Sequence, residues 1–175
     1  MTKPKQIKKV ISGGQTGADR GALRAAFKLG IETGGWIPKG CLTETGPDPS
    51  LISHYGCKEH SSSKYPPRTF ANVRDSDATI RFAKDFSSAG ERCTLKAIQQ
   101  YGKPFLDVLI LELDVFTLGL HGSVNPVRRW LNEHNVKVLN VAGNRESTCP
   151  GIELLVYRFM GKVLGEDPPT KRKRK

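Results

Sequence analysis

The sequence has no long apolar run, no paired cysteines and few aromatic residues, the last making up 7% of the chain. Without a stretch of roughly 18 apolar residues, a membrane-spanning helix is not expected. The N-terminus is basic and lacks the apolar core of a secretory signal, so a cytoplasmic protein is expected. Cys41, Cys57, Cys93 and Cys149 are scattered and form no Cys-x-x-Cys pair, which reads as reduced thiols and not as a disulfide framework. Cys57 and His60 are spaced as zinc ligands can be, but no second pair matches them, and no metal site is expected. Also missing are the Gly-x-Gly-x-x-Gly of dinucleotide folds and a phosphate loop ending in Gly-Lys-Ser/Thr. His54, His60, His121 and His134 fall in loop-like segments or at a helix end, and no Ser-His-Asp or Cys-His arrangement emerges. Binding is therefore expected more than turnover, with no catalytic residue assigned.

Acidic residues are scarce too, 17 against 28 Lys and Arg, for a formal net charge of +11. Five of those charges are the consecutive Lys171 to Lys175, and the remainder of the chain is still basic. Following Asp167-Pro168-Pro169, this run reads as a disordered tail over 167–175 that serves nuclear import, touches nucleic acid or is simply solvated. The remaining 1–166 fit a single ligand-binding domain with a substantial core. Positive charge near a pocket also suits a phosphorylated small molecule, so net charge does not choose between the two kinds of partner.

The stretch from Ile7 to Arg20 organises the rest. An apolar segment with Val10 and Ile11 runs into Gly13, Gly14 and Gly17, then into a helical run through Ala22, Leu23, Ala25, Ala26, Phe27 and Leu29. A strand, a glycine-rich turn and a helix bring backbone N–H groups and a positive dipole end to one place, where an anion such as phosphate fits. The plainer reading is a tight connection in which Thr16 or Asp19 caps the helix. Gly13, Gly14, Gln15, Thr16, Gly17 and Asp19 are the first site candidates.

Further strands are predicted at Ile31 to Ile37, Ala78 to Ala83, Pro104 to Leu111 and Val136 to Val141. Helices are predicted at 68–73, through Leu95, Ala97 and Ile98, from Asn125-Pro126, and from near Pro150 with Ile152, Leu154, Leu155, Phe159 and Met160 buried. From Pro38 to Pro67 the chain is rich in Pro, Gly, Ser and Thr without periodicity, and is expected to border the ligand as an irregular loop. Strands alternating with helices indicate an α/β, three-layer, Rossmann-like fold with a mainly parallel sheet of about five strands flanked by helices. Ligands of such sheets sit beyond the carboxyl ends of the strands, so the polar clusters at 12–19, 34–40, 84–94 and 140–149 are expected to share one rim.

Several residues on that rim have a chemical reading. Trp36 can stack on a heterocycle or pack in the core, and Lys39 beside Gly40 can meet an oxyanion. Ser87, Ser88, Gly90 and Thr94 read either as a second anion cradle or as helix caps. Asp75, Ser76 and Asp77 suit recognition of the N–H edge of a pterin or guanine ring, or pairing with Arg74.

Ser12-Gly13-Gly14-Gln15-Thr16-Gly17-Ala18-Asp19-Arg20, Gly34-Gly35-Trp36-Ile37-Pro38-Lys39-Gly40, Asn72-Val73-Arg74-Asp75-Ser76-Asp77-Ala78-Thr79 and Leu139-Asn140-Val141-Ala142-Gly143-Asn144-Arg145-Glu146-Ser147 resemble the molybdenum cofactor carrier family, a Rossmann-like branch related to the lysine-decarboxylase-like (Lonely Guy) phosphoribohydrolases. The resemblance covers almost everything but the tail. It implies a cytosolic homo-oligomer, dimer or tetramer, that stores or protects the molybdenum cofactor, a phosphorylated molybdopterin, and delivers it to a recipient molybdoenzyme, with Asn144 and Arg145 completing the rim. Molybdate, phosphate or a nucleoside monophosphate are the other ligands it admits. In the related hydrolases the loop reads approximately Pro-Gly-Gly-x-Gly-Thr-x-x-Glu. Here the matching stretch is Ser88-Ala89-Gly90-Glu91-Arg92-Cys93-Thr94-Leu95-Lys96-Ala97, so Ala97 stands in the glutamate's place and a hydrolase becomes the weaker alternative.

Overall fold

The computed structural model describes residues 7–111, 114 and 124–165; the expected tail and His121 lie outside them. Five strands form the main sheet: β1 (Lys9–Ser12), β2 (Glu32–Gly34), β7 (Ala78–Ala83), β8 (Phe105–Leu109) and β9 (Val138–Gly143). Every pair is parallel, and the order is β2-β1-β9-β7-β8. The last strand in the chain therefore lies at the centre, with Ile11 opposite Asn140 on one side and Ile80 opposite Val141 on the other.

Among the described residues six helices accompany the sheet: α1 (Ala18–Lys28), α2 (Ser50–Ser53), α3 (Tyr65–Arg74), α4 (Ala89–Tyr101), α5 (Val124–Glu133) and α6 (Ile152–Leu164). The main core joins Ala22, Ala25 and Ala26 of α1, Val127 and Leu131 of α5, and Ile152, Leu155, Val156, Phe159 and Met160 of α6 to Val10, Ile80, Phe82, Leu139 and Val141 of the sheet. Small alanines let α1 and α6 approach closely, and burial of the larger apolar side chains contributes about 1.5–3 kcal/mol each. A second cluster, Val73, Ala97 and Ile98 with Phe70 and Tyr101, packs α3 against α4. This is the three-layer α/β arrangement that the alternating pattern predicts. Leu154, expected inside, is 37% exposed because it falls off the buried stripe of α6.

Two expectations are corrected. The strand from Ile31 to Ile37 is broken at Gly35, whose φ of 123° turns the chain so that a Cβ there would strike the backbone of Ser12. Trp36–Ile37 consequently leaves the main sheet and forms β3, which pairs with β6 (Lys58–Glu59). The segment 38–67 is also not structureless. It contains the hairpin of β4 (Leu42–Thr43) and β5 (Gly46–Pro47), together with α2 and β6, around a small core of Leu23, Ile37, Leu51, Tyr55 and Cys57.

Candidate functional site

A cavity of about 490 Å³ opens beyond the carboxyl ends of β1, β7 and β9, with α3 closing one side. The chain passes from the β1–β2 pair to the β7–β8 pair and only later inserts β9 between them, which makes this the point where strand order reverses.

The loop after β1 is shaped by local hydrogen bonding. The Gly14 amide donates to Ser12 Oγ at 3.1 Å, and the Gln15 amide donates to Asp19 Oδ2 at 3.3 Å. Gly17 has a φ of 86°, and a Cβ there would collide with the Asn144 carbonyl. That close approach lets the Ala18 amide donate to Asn144 O at 3.1 Å, binding the first loop to the one after β9. On Gly13 the space of a side chain is taken by the guanidinium of Arg68.

Arg68 enters from α3. Its side chain is 12% exposed, and its nearest acid is Asp19 Oδ2 at 3.8 Å. It donates no hydrogen bond to any described residue, and its buried Nε is without a partner. The Arg145 guanidinium is likewise without a hydrogen bond among the described residues; it lies 4.8 Å from the centre of the Tyr65 ring, with Arg68 5.7 Å from the same ring. Two guanidiniums thus lie against one aromatic ring at the cavity wall. Burial pulls the Arg68 pKa down, opposed by Asp19, with Arg145 adding like-charge repulsion. Asp19 itself is pushed up by burial, which Arg68 and the Gln15 amide oppose.

The facing wall is the N-terminal turn of α4. Ser88 caps this helix, accepting from the Glu91 amide at 3.2 Å. The Glu91 side chain turns inward, where Oε1 accepts from Asn144 Nδ2 at 3.3 Å. Its other oxygen has no hydrogen-bond partner and stands 3.9 Å from Arg81 Nη1. Arg81 is committed to other acceptors, donating to both carboxylate oxygens of Asp107 at 2.7 and 2.6 Å and from Nη1 to the Glu91 backbone carbonyl at 3.0 Å. Burial consequently pushes the Glu91 carboxyl up to about 7, against the pull of Arg81. Asn144 is held at both ends, since its Oδ1 accepts from the Lys84 amide at 3.0 Å.

Of the residues singled out in the sequence, Gly13, Gln15, Asp19, Ser88, Gly90, Thr94, Asn144 and Arg145 are brought together around the cavity. Gly14, Thr16 and Gly17 lie behind this wall. Gly14 faces Ile37 and Leu51, and the Thr16 hydroxyl donates to Glu44. The 34–40 cluster does not join the rim, because the turn at Gly35 carries it away; the Trp36 indole donates to Asp75 Oδ2 at 2.7 Å, while Lys39 and Gly40 are exposed. Asp75, Ser76 and Asp77 precede β7, at the end of the sheet opposite the cavity. There Asp75 pairs with Arg74 at 2.7 Å, the Ser76 hydroxyl donates to Val73 O, and Asp77 accepts the Lys137 and Val138 amides at 2.8 Å. Ser87 is turned to Asp85. Ala97 packs into the α3–α4 core rather than the cavity.

Tyr65, Arg68, Glu91 and Cys93 were not singled out as ligand-facing by the sequence, yet all line the cavity. The signal for Arg68 lies in Tyr65-Pro66-Pro67, since prolines in a first helical turn start α3 three residues earlier and put Tyr65 and Arg68 on one face. For Glu91 it is the Ser-x-x-Glu spacing from Ser88, a helix-start pattern.

Comparison with known proteins gives this site its context. The model of the circularly permutated YpsA SLOG family matches residues 10–164. The chain is also similar to a solved structure from Syntrophus aciditrophicus SB named "putative molybdenum carrier protein", with 36% identity, a TM-score of 0.81, and coverage of 94% of this chain and 98% of that one. No curated protein matches it.

Proposed function

The chain belongs to the circularly permutated YpsA SLOG family, and on that premise we propose that this ligand-binding protein carries a phosphorylated, oxyanion-bearing heterocycle of the molybdenum cofactor class. The observation that carries the reading is the pair Arg68 and Arg145. Two guanidiniums without hydrogen bonds at one cavity wall leave directed donors unused, and a phosphate or molybdate oxyanion supplies the acceptors they lack. The cavity volume lies within the roughly 300–1,000 Å³ usual for small-molecule sites. The name of the Syntrophus protein supports a molybdenum-related cargo. When bound, the cofactor would offer a phosphate and molybdenum-bound oxygens to these residues, with Ser88, Thr94, Ser147 and Thr148 as neutral partners on the rim. A cytoplasmic homo-oligomer that hands its cargo to a molybdoenzyme belongs to the same proposal.

A nucleoside monophosphate hydrolase is the second reading, and Glu91 is what favours it. A buried carboxyl with a pKa of about 7 in the cavity has the properties of a general acid. Free base release from a nucleoside monophosphate is the outcome it requires.

The experiment is metal analysis and mass spectrometry of the protein as purified, followed by calorimetric titration with molybdate and with nucleoside monophosphates. Molybdenum with a pterin, and oxyanion binding weakened roughly 10–100-fold in Arg145→Ala without a change in melting temperature, is the expected result. Failure of molybdate and phosphate esters alike to bind would sink the reading.

A further inference from the structure

Beyond the wall of guanidiniums, the cavity contains two carboxyls, and its charge balance is the feature with consequences. Arg68 and Arg145 bring two positive charges, and Asp19 and Glu91 bring two negative ones when ionised. A doubly charged oxyanion entering that balanced set would leave two uncompensated negative charges beside the buried Asp19 and Glu91 carboxyls, which is unfavourable. Uptake of one proton by the set relieves half of that excess.

The surroundings of the two carboxyls differ. Asp19 is engaged by Arg68 at 3.8 Å and by the Gln15 amide at 3.3 Å. Glu91 is 3% exposed and has one hydrogen bond, from Asn144. The charged groups facing it are Arg81 from β7, Asp107 from β8 and Asp19 from α1. Arg81, at 3.9 Å, gives its Nε and Nη2 to Asp107 and its Nη1 to the Glu91 backbone carbonyl at 3.0 Å, and the second oxygen of Glu91 stays without a donor. Asp107 and Asp19 both repel a charge on it.

We propose that cargo binding in this cavity is coupled to a proton: anion capture at Arg68 and Arg145 takes up one proton at the Glu91 carboxylate, and return of that proton to solvent expels the anion. The proposal rests on reading the cavity as an anion site. No covalent bond to the cargo is made or broken, and the proton comes from and returns to water. Because burial places the Glu91 carboxyl at about 7, that exchange falls in the neutral range. The coupling is reciprocal: a bound anion favours the protonated acid, and an ionised Glu91 weakens the anion by the same factor.

Molybdate is the probe, since it remains a dianion across the neutral range and its own charge does not confuse the result. Calorimetric titrations of the wild-type protein at pH 8, in buffers of different protonation enthalpy, are expected to show uptake of about one proton per molybdate. Affinity is expected to fall by up to about tenfold per pH unit above neutrality. In Glu91→Gln the uptake disappears and the affinity becomes nearly flat with pH, with folding checked by circular dichroism. Molybdate binding without proton uptake in the wild type overturns the coupling while leaving the anion site standing, and needs no variant. Uptake that persists in a folded Glu91→Gln overturns the assignment to Glu91. No molybdate binding between roughly pH 6 and 9 overturns the anion site itself and the coupling with it.

Discussion

Gly14 has a φ of 70°, and a Cβ on it would lie 2.9 Å from Ile37 Cγ2 and 3.0 Å from Leu51 Cδ1. Its amide is turned to the Ser12 hydroxyl and its missing side chain to the small core behind the site, so its role is to let the loop pass between them. Gly14→Val is expected to destabilise the protein by about 2–4 kcal/mol, through left-handed strain for a branched residue plus overpacking, read as a lower denaturation midpoint. A change in ligand affinity with full stability would contradict that role. Spacing marks the glycine but is silent on which side of the loop its absent Cβ faces. Asp19, by contrast, is both a candidate cap and a ligand-facing group in the sequence, and the structure gives it a buried place between Arg68 and the Gln15 amide.

At the scale of elements, the hairpin β4–β5 is attached to the site by side chains. Gln15 donates to Leu42 O and accepts from the Glu44 amide, both at 3.1 Å, while Glu44 accepts from Thr16 and from the Ser147 amide and hydroxyl. These bonds, with attraction to Arg145, hold the Glu44 carboxyl below its usual range although burial acts the other way. Gln15→Ala should leave the central sheet protected and accelerate hydrogen exchange at the Glu44 amide about tenfold or more, because that donor loses its acceptor. Unchanged exchange there would mean the hairpin is held by other contacts. Three strands of the main sheet are legible in the sequence because Val10-Ile11, Ala78 to Ala83 and Val136 to Val141 are short segments rich in apolar and β-branched residues, bounded by turn residues. The hairpin was not, because two-residue strands carry no period and their partners are side chains distant in sequence. The same reason hid the Arg68–Tyr65–Arg145 grouping, which joins α3 to a loop some eighty residues later.

For the whole molecule, the +11 charge divides between a basic body and the five residues Lys171 to Lys175. These two parts are expected to act independently. Deleting 171–175 should weaken nonspecific nucleic-acid binding and flatten its log–log salt slope by up to about 4, while leaving molybdate affinity unchanged. Equal nucleic-acid binding with and without the tail would move that contact to the body. The strand order carries a different consequence. Since β9 joins the β1–β2 pair to the β7–β8 pair and is followed directly by Asn144 and Arg145, a chain emerging from the ribosome has two unconnected halves of a sheet until nearly all of it has been made. Only then do the halves close and the second guanidinium arrive. A partly synthesised chain therefore has no finished pocket, and a ligand can be held only by copies whose translation has passed the central strand.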